Sequence, residues 1–477
     1  MPKKYSIEVI PTPPRYPPIG KFEIERGENC INCGRCAMAC VYDVHKRREE
    51  DPRCMAVPVN YRCRGCFRCI QECPREALSI RENKDYSLLG DSYWTPEIIS
   101  KNWYQAETGK IPVSGAGYRG PFSGEGFDSI WTDMSEIVRP TRDGIHGREY
   151  ISTAVDIGRK STAIKFDAHG EIVSPIPPAL SIPVPIIFNT QTFLKFGENI
   201  YEAMAKAASY LGTFMIVDAG GKWFKSRRHT SHLIPHISHL TPHSFEADLI
   251  KTCKMVELEY EEDVLGMVNE AKRISPGTIV SVRVPFGDNV EELVEELTYA
   301  GVEVIHLYAD INGRAFSSGQ GFIKDMTLNV HRHLVDLKIR DEVTLIVSGG
   351  IAMAEHVAKS IICGADLTAI DLPLLIALEC RYCKSRLDVL SCPVELKEVE
   401  PQWGAQRIIN LIGAWRNQLL EVLGAMGLRE VRRLRGEVGR AIFFEDIEKE
   451  IFEHFLSVSK ECVSAKKAYG NNYGGVR

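Results

Sequence analysis

Two runs of cysteines near the N-terminus constrain the fold of this chain more than any other feature of its sequence. In each run, three cysteines are separated by two residues and a fourth follows after three more. This spacing is typical of two [4Fe–4S] clusters, each of which takes three thiolates from one run and the fourth from the other. The first cluster would take Cys30, Cys33, Cys36 and Cys73, and the second would take Cys63, Cys66, Cys69 and Cys40.

Zinc and disulfide bonds are the alternative uses of closely spaced cysteines. Structural zinc usually takes two Cys-x2-Cys pairs, and a disulfide framework belongs to short secreted chains. Pro74 after the second run is typical of a bacterial-type ferredoxin, whereas Val41 follows the first run, and Cys54 has no partner by spacing. We therefore predict a ferredoxin-like α+β module that transfers electrons.

The composition is that of an ordinary soluble protein. With 477 residues and 44% hydrophobic content, the chain is long enough for two or three domains. The net charge of −5 is small and argues against a nucleic-acid-binding protein. No apolar run is long enough for a transmembrane segment, and the first residues lack the apolar core of a secretory signal. Together with fifteen cysteines, these features predict a reducing, cytoplasmic location.

The order of segments along the chain predicts five regions. A proline-rich arm covers residues 1–20, which hold six of the 25 prolines, and the cluster module covers 21–82. A connector rich in Gly, Pro, Trp and Tyr spans 83–150. Short β-branched runs alternate with helical segments over 151–400, and a helical segment with a tail covers 401–477.

The connector contains a formal G-x-G-x-x-G between Gly115 and Gly120. A Rossmann nucleotide site needs a strand before this motif and a helix after it, whereas Pro112 precedes it and Pro121 follows at once. We therefore expect no NAD(P) site here, and we predict that reducing equivalents arrive through a partner or through the clusters.

Eight short runs predict a closed (β/α)8 TIM barrel rather than an open sheet. The predicted strands are residues 182–189, 213–220, 232–238, 248–258, 278–285, 303–309, 343–349 and 366–371. The helix after the fifth strand is expected to be capped by Asp288 or Asn289. Beyond Trp403 we expect mostly helix to about Val458.

Residues 150–440 resemble the FMN-binding synthase domain of glutamate synthase, particularly its stand-alone, ferredoxin-fused form in archaea and anaerobic bacteria. The likeness is strongest in residues 281–310, 344–380 and 407–434. It implies an FMN-type barrel and an oxidoreductase.

The resemblance also assigns two groups of cofactor-binding residues. Ser348, Gly349 and Gly350 end the seventh predicted strand, where the family holds the FMN phosphate. Arg283 stands where the family carries a lysine beside the N1–C2 edge of the flavin. A tight turn without a ligand, and a structural ion pair for Arg283, are the alternatives.

A third cysteine group lies where the family holds a [3Fe–4S] cluster beside the flavin. It consists of Cys380, Cys383 and Cys392, but Arg386 occupies the place of the family's middle cysteine and the loop is one residue longer. Three thiolates before a proline still suggest a three-iron cluster, with free thiols or a cubane with an outside ligand as alternatives.

The chain departs from the family in the loops that hold 2-oxoglutarate. Residues 218–231, 251–263 and 309–321 replace its glycine-rich loops, and Asp371 stands where a glycine lines the phosphate. Five histidines crowd one of these regions, and we interpret them as ordinary surface and loop residues rather than a metal site: His229, His232, His236, His239 and His243.

The sequence therefore predicts an iron–sulfur flavoprotein oxidoreductase of the glutamate synthase superfamily. It would relay electrons between two [4Fe–4S] clusters, a barrel cluster and FMN as a redox subunit of a larger complex. Its expected partners are other redox subunits or ferredoxin, and a separate NAD(P)H-dependent or amidotransferase subunit, because neither domain is expected in this chain. The alternatives are glutamate synthase itself, acting on 2-oxoglutarate, and a flavin-less scaffold for the ferredoxin module. No catalytic residue is assigned from the sequence.

Overall fold

The computed structural model describes most of the chain. The described residues are 5–111, 124–132, 150–160, 164–174, 177–191, 197–220, 229–238, 245–316, 321–383, 393–447 and 449–450. The Gly115–Gly120 motif and Cys392 lie outside these ranges.

The two cysteine runs are held by a small α+β unit. Its elements are β1 (Phe22–Arg26), α1 (Arg35–Ala39), α2 (Arg68–Gln71) and β2 (Leu78–Glu82). The two strands pair antiparallel, and each short helix carries the third cysteine of its run. A separate small core of Ile24, Val44, Met55 and Leu78 lies beneath the cysteines. The module therefore has little apolar packing apart from the cysteines themselves.

One long helix follows the module and joins the core of the barrel. Helix α3 (Pro96–Thr108) begins at Thr95, whose side chain accepts the Ile98 N–H, and ends at Gly109 in the left-handed region. Trp94, Ile98 and Trp103 are buried in the same hydrophobic cluster as the barrel strands. Strand β3 (Ile130–Thr132) lies further along the connector.

Eight parallel strands form a closed barrel, preceded by the antiparallel pair β4 (Val155–Gly158) and β5 (Ala179–Ile182). The barrel strands are β6 (Ile186–Asn189), β7 (Met215–Asp218), β8 (Leu233–Ile237), β9 (Met255–Glu259), β10 (Ile279–Pro285), β11 (Val304–Tyr308), β12 (Thr344–Ser348) and β13 (Leu367–Ile370). They close in chain order. The predicted (β/α)8 fold is confirmed.

Helices surround the barrel and follow it. They are α4 (Glu198–Leu211), α5 (Phe245–Thr252), α6 (Val264–Ile274), α7 (Val290–Tyr299), α8 (Ile323–Asp336), α9 (Ala354–Ile362), α10 (Leu372–Ala377) and α11 (Pro401–Ala425). The N-terminal arm lies against α11, where the Asn410 amide donates to Ile10 O and the Trp403 indole donates to Pro13 O. No helix in the described part of the chain is long and apolar enough to cross a membrane.

Three local predictions are wrong. The predicted strand over 248–258 is the end of α5 followed by β9, because two apolar runs meet without a glycine or proline to separate them. Asn289 precedes α7 in a left-handed conformation and its side chain forms no capping hydrogen bond. Helix α11 ends at Ala425, and the chain then forms short 3-10 turns and strand β14 (Ala441–Phe443), which pairs with β3. Helix resumes over residues 444–447 and 449–450, so the segment is less helical than predicted, and residues 451–458 lie outside the described ranges.

Candidate functional site

The first of two cavities in the N-terminal module is lined by cysteines from both runs. Cys30, Cys33 and Cys36 from the first run and Cys73 from the second surround about 340 Å³ of empty volume. The Asn32 N–H points to the Cys30 sulfur (3.5 Å), and the Ala77 N–H points to that of Cys73 (3.3 Å). This is the set of four that the crossed arrangement predicts for one cluster.

The second cavity has the complementary lining. Cys63, Cys66 and Cys69 from the second run and Cys40 from the first surround about 300 Å³. Burial and then the neighbouring thiols raise the pKa of Cys69 to about 11. A thiol in this environment is unfavourable to ionise without a cation, and metal coordination reverses that preference.

No three His, Cys, Asp or Glu side chains in the described ranges are arranged to hold one metal ion. The eight sulfurs instead line the walls of two cavities. Cys54 lines neither cavity, and its thiol points to the Asp51 carboxylate (3.6 Å).

Helix α3 connects the second cavity to the barrel. The carboxylate of Glu107 accepts hydrogen bonds from the Tyr61 hydroxyl and the Arg62 guanidinium, both at 3.1 Å. The Arg64 guanidinium, which also lines the second cavity, lies 5.8 Å from the ring centre of Tyr104. Residues that precede and form the second cysteine run thus contact a helix that is otherwise part of the barrel core.

Other residues of α3 lie against the carboxyl end of the barrel. The Trp103 indole donates to Cys380 O (3.3 Å), and the Asn102 amide donates to Ala352 O (3.0 Å). Cys380 is buried, and Cys383 forms an isolated bridge with Leu89 in the connector. The connector therefore covers the region where sequence reasoning predicts the FMN phosphate and the third cluster.

The glycine pair after β12 is tightly enclosed. Gly349 and Gly350 have φ values of 101° and 66°, and an added Cβ on Gly349 would lie 2.6 Å from Asp310 O. The Tyr93 hydroxyl donates to Gly350 O (2.5 Å). Asp371, which follows β13, is also buried. Its carboxylate accepts the Leu372 N–H (2.6 Å) at the start of α10. The negative charge of Asp371 therefore lies at the N-terminus of α10, where the helix dipole favours it.

The barrel interior holds a chain of ionisable residues in place of the usual branched apolar side chains. Glu257 on β9 is fully buried and accepts hydrogen bonds from His306 Nδ1 (2.6 Å) and His236 Nδ1 (3.1 Å). His306 Nε2 lies 2.8 Å from the Ser348 hydroxyl, and His236 Nε2 lies 3.3 Å from the Glu259 carboxylate. Five strand residues from four strands thus form one continuous network.

The charges around Glu257 decide its ionisation. Burial alone would raise its pKa, but the charge of His306, the hydrogen bonds from both histidines and the charge of Arg283 hold the pKa well below its ordinary value. Glu257 is therefore a buried carboxylate that its partners keep ionised.

Arg283 lies beside this network, and two of its guanidinium nitrogens form no hydrogen bond within the described residues. It is 7% exposed, and its cation lies 4.2 Å from the ring centre of Tyr308. Glu257 and Glu259 lie 3.8 Å from its Nη1 and Nε, yet neither nitrogen forms a hydrogen bond within the described residues. Gln191 Nε2, just after β6, is likewise buried without a partner there. Unsatisfied buried donors at this end of the barrel fit a ligand with acceptor atoms.

Sequence reasoning missed the interior network and the covering role of Tyr93 and Trp94. His236 is buried in the barrel wall, so the expectation of a surface or loop histidine is wrong for it, while His239 and His243 lie outside the described residues. The available signal was the alternation of polar and apolar residues in MVELE and VIHLY, which is unusual in a parallel strand buried on both faces.

The fold and these sites together define a (β/α)8-barrel oxidoreductase that carries an N-terminal cysteine module. The sequence model for the conserved region in glutamate synthase matches residues 230–429. The archaeal-type glutamate synthase [NADPH] of Thermotoga maritima is 27% identical, with 90% of this chain and 96% of that protein covered. The archaeal glutamate synthase [NADPH] of Methanocaldococcus jannaschii is 26% identical over the same shares.

The chain is similar to the glutamate synthase family over most of its length, as its resemblance predicts. This similarity supports FMN as a cofactor and an oxidoreductase activity. Among solved structures, a mandelate oxidase variant has 13% identity and a TM-score of 0.43, covering 65% of this chain and 86% of that one.

Proposed function

We propose that this protein is an iron–sulfur flavoprotein that relays electrons between two [4Fe–4S] clusters in its N-terminal module and FMN at the mouth of its barrel. The observation that carries the proposal is the pair of cavities, each lined by four cysteines drawn from both runs. Such clusters supply one-electron transfer, which a flavin can exchange for two-electron chemistry.

The residues of the chain would hold these groups in different ways. The eight cysteines would ligate the clusters as thiolates, and Gly349 and Gly350 would let backbone N–H groups approach the FMN phosphate. Arg283 would direct its free nitrogens to acceptor atoms of the flavin ring. Cys380, Cys383 and Cys392 are the proposed ligands of a third, three-iron cluster, and the burial of Cys380 beneath Trp103 supports a position near the barrel mouth.

The relay would receive or deliver electrons outside this chain. Cys33 and Cys66 are exposed, so each cluster would have one ligand at the protein surface. That exposure supports contact with another redox protein such as a ferredoxin or a partner subunit. We propose that the protein works in the cytoplasm as a subunit of a larger complex.

Cofactor analysis of protein purified without oxygen tests this proposal. We expect about eight irons from the two cubane clusters, together with one FMN per chain. A low-potential one-electron donor should then bleach the flavin band in the wild type, and more slowly in Cys63→Ser, with Cys54→Ser as the matched control. Protein that contains iron but no FMN would favour the scaffold alternative, and protein without iron would refute the relay.

Glutamate synthesis is the second candidate, favoured by similarity to glutamate synthases that cover about nine-tenths of this chain. In that reaction 2-oxoglutarate and ammonia condense with loss of water, and two electrons and two protons give glutamate. The acidic groups Glu257 and Glu259 beside Arg283 disfavour a dicarboxylate there. Formation of glutamate from 2-oxoglutarate and ammonia, driven by reduced ferredoxin or a dye, would establish this candidate instead.

A further inference from the structure

An arginine and a histidine connect the two cysteine-lined cavities. Arg26, the last residue of β1, lines the first cavity, and His45 lines the second. Nη2 of Arg26 lies 3.4 Å from Nδ1 of His45, and Nη1 of Arg26 donates to Ala56 O (2.7 Å). One hydrogen-bonded pair of side chains therefore reaches from the first cavity to the second.

The hydrogen bond between these two side chains fixes the tautomer of His45. A guanidinium has five N–H donors and no acceptor, so Nδ1 of His45 must be the acceptor. The proton of the neutral ring is then on Nε2. Burial, and then the charge of Arg26, lower the pKa of His45 to about 4, in agreement with a neutral ring.

Each member of the pair also has one buried nitrogen that forms no hydrogen bond within the described residues. These atoms are Nε of Arg26 and Nε2 of His45. His45 is only 3% exposed, so bulk water does not take the place of the missing partner. Buried donors in native proteins are nearly always paired. The sulfur atoms of a cluster in each cavity would supply the two acceptors.

The charge of Arg26 acts on the first cavity as well. Burial raises the pKa of the Cys36 thiol, and the charge of Arg26 opposes that rise. The two groups that accept hydrogen bonds from Arg26, the Ala56 carbonyl and the His45 ring, are both uncharged. Arg26 therefore offers the first cluster a positive charge and an N–H group, whereas His45 offers the second cluster an N–H group alone.

We propose that Arg26 and His45 form a bridge that sets the reduction potentials of both clusters, with Nε–H of Arg26 donating to a sulfur of the first and Nε2–H of His45 to a sulfur of the second. This inference rests on the proposed function. Hydrogen bonds to cluster sulfurs and a nearby positive charge favour the state with one more electron, so they raise the potential. Each cluster takes one electron from the external donor, and no bond forms or breaks.

Redox titration of the full chain, purified without oxygen and followed by electron paramagnetic resonance, tests the role of His45. His45→Leu removes both the acceptor and the N–H group, and it should lower the potential of one cluster and leave the other unchanged. We expect the ratio of reduced to oxidised cluster at a fixed potential to fall about tenfold, which is about 59 mV for one electron. His45→Gln has a similar volume but keeps a carbonyl oxygen and an N–H group, so it should restore most of the wild-type potential.

Arg26→Lys separates the hydrogen bonds of the bridge from its charge. A lysine keeps the positive charge, but its single nitrogen does not reproduce the fixed fork of a guanidinium. We expect both potentials to fall, because the first cluster loses its N–H group and the tautomer of His45 is no longer fixed at the second. Arg81→Gln is the matched control, since Arg81 pairs with Glu23 and Glu25 on the neighbouring strand and lines neither cavity. It should leave both potentials unchanged.

The outcomes separate this inference from the proposed function. Wild-type potentials in His45→Leu, equal potentials in His45→Leu and His45→Gln, or a wild-type potential at either cluster of Arg26→Lys would overturn the bridge. If His45→Leu does not retain its iron, the comparison of Arg26→Lys with Arg81→Gln decides alone. Wild-type protein without iron would instead refute the proposed function.

Discussion

At the scale of single residues, Cys40 and Cys73 are the most informative, because each lines the cavity formed mainly by the other run. Two double variants that remove equal numbers of thiols test whether the fourth ligand of each cluster comes from the other run. Cys40→Ser with Cys63→Ser should lose one cluster, or about four irons, whereas Cys30→Ser with Cys40→Ser should lose both, or about eight. Iron analysis of the purified variants measures the difference. The opposite order would mean that each run holds its own cluster.

Gly349 offers a second test at the residue scale. Its positive φ and the nearby Asp310 carbonyl leave no room for a Cβ, so Gly349→Ala should destabilise the loop by about 1 to 3 kcal/mol and release FMN. Gly301→Ala is the matched control, because Gly301 has a similar φ of 91° but open space around its Cα. FMN content and thermal unfolding check both variants. Equal FMN retention in the two would contradict the assignment of the loop.

At the scale of elements, helix α3 holds the cluster module against the barrel. Glu107→Gln should weaken the contact, since Glu107 is buried and accepts from both Tyr61 and Arg62. We expect faster proteolytic release of the module with an unchanged iron content. Glu97→Gln is the control, because Glu97 pairs with Lys21 on the surface at 3.7 Å and such pairs contribute little. Equal proteolysis rates would show that other contacts hold the module.

The same elements show what the sequence could and could not predict. The cysteine runs are local patterns, so their spacing was enough to predict which thiols share a cavity. Strand spacing likewise predicted the barrel. The network around Glu257 depends on strand register, which brings His306 beside a residue 49 positions away. No local pattern encodes that pairing, and none placed Tyr93 and Trp94 over the barrel mouth.

At the scale of the whole molecule, the arrangement is a cysteine module, a bridging helix and a barrel whose polar groups gather at the end nearest that helix. Tyr104 on one side of α3 approaches the second cavity, and Trp103, the next residue back, contacts Cys380. The two ends of the proposed relay are therefore joined by one 13-residue helix.

Counting the electrons that the purified protein accepts tests the relay most directly. An anaerobic titration with a low-potential donor, followed by absorbance and electron paramagnetic resonance, should show about four electrons per chain, two in FMN and one in each cubane cluster. A reduced cluster at Cys380, Cys383 and Cys392 would add about one more. Uptake of about two electrons by FMN alone, or reduction of the clusters without bleaching of a flavin, would contradict the proposed function.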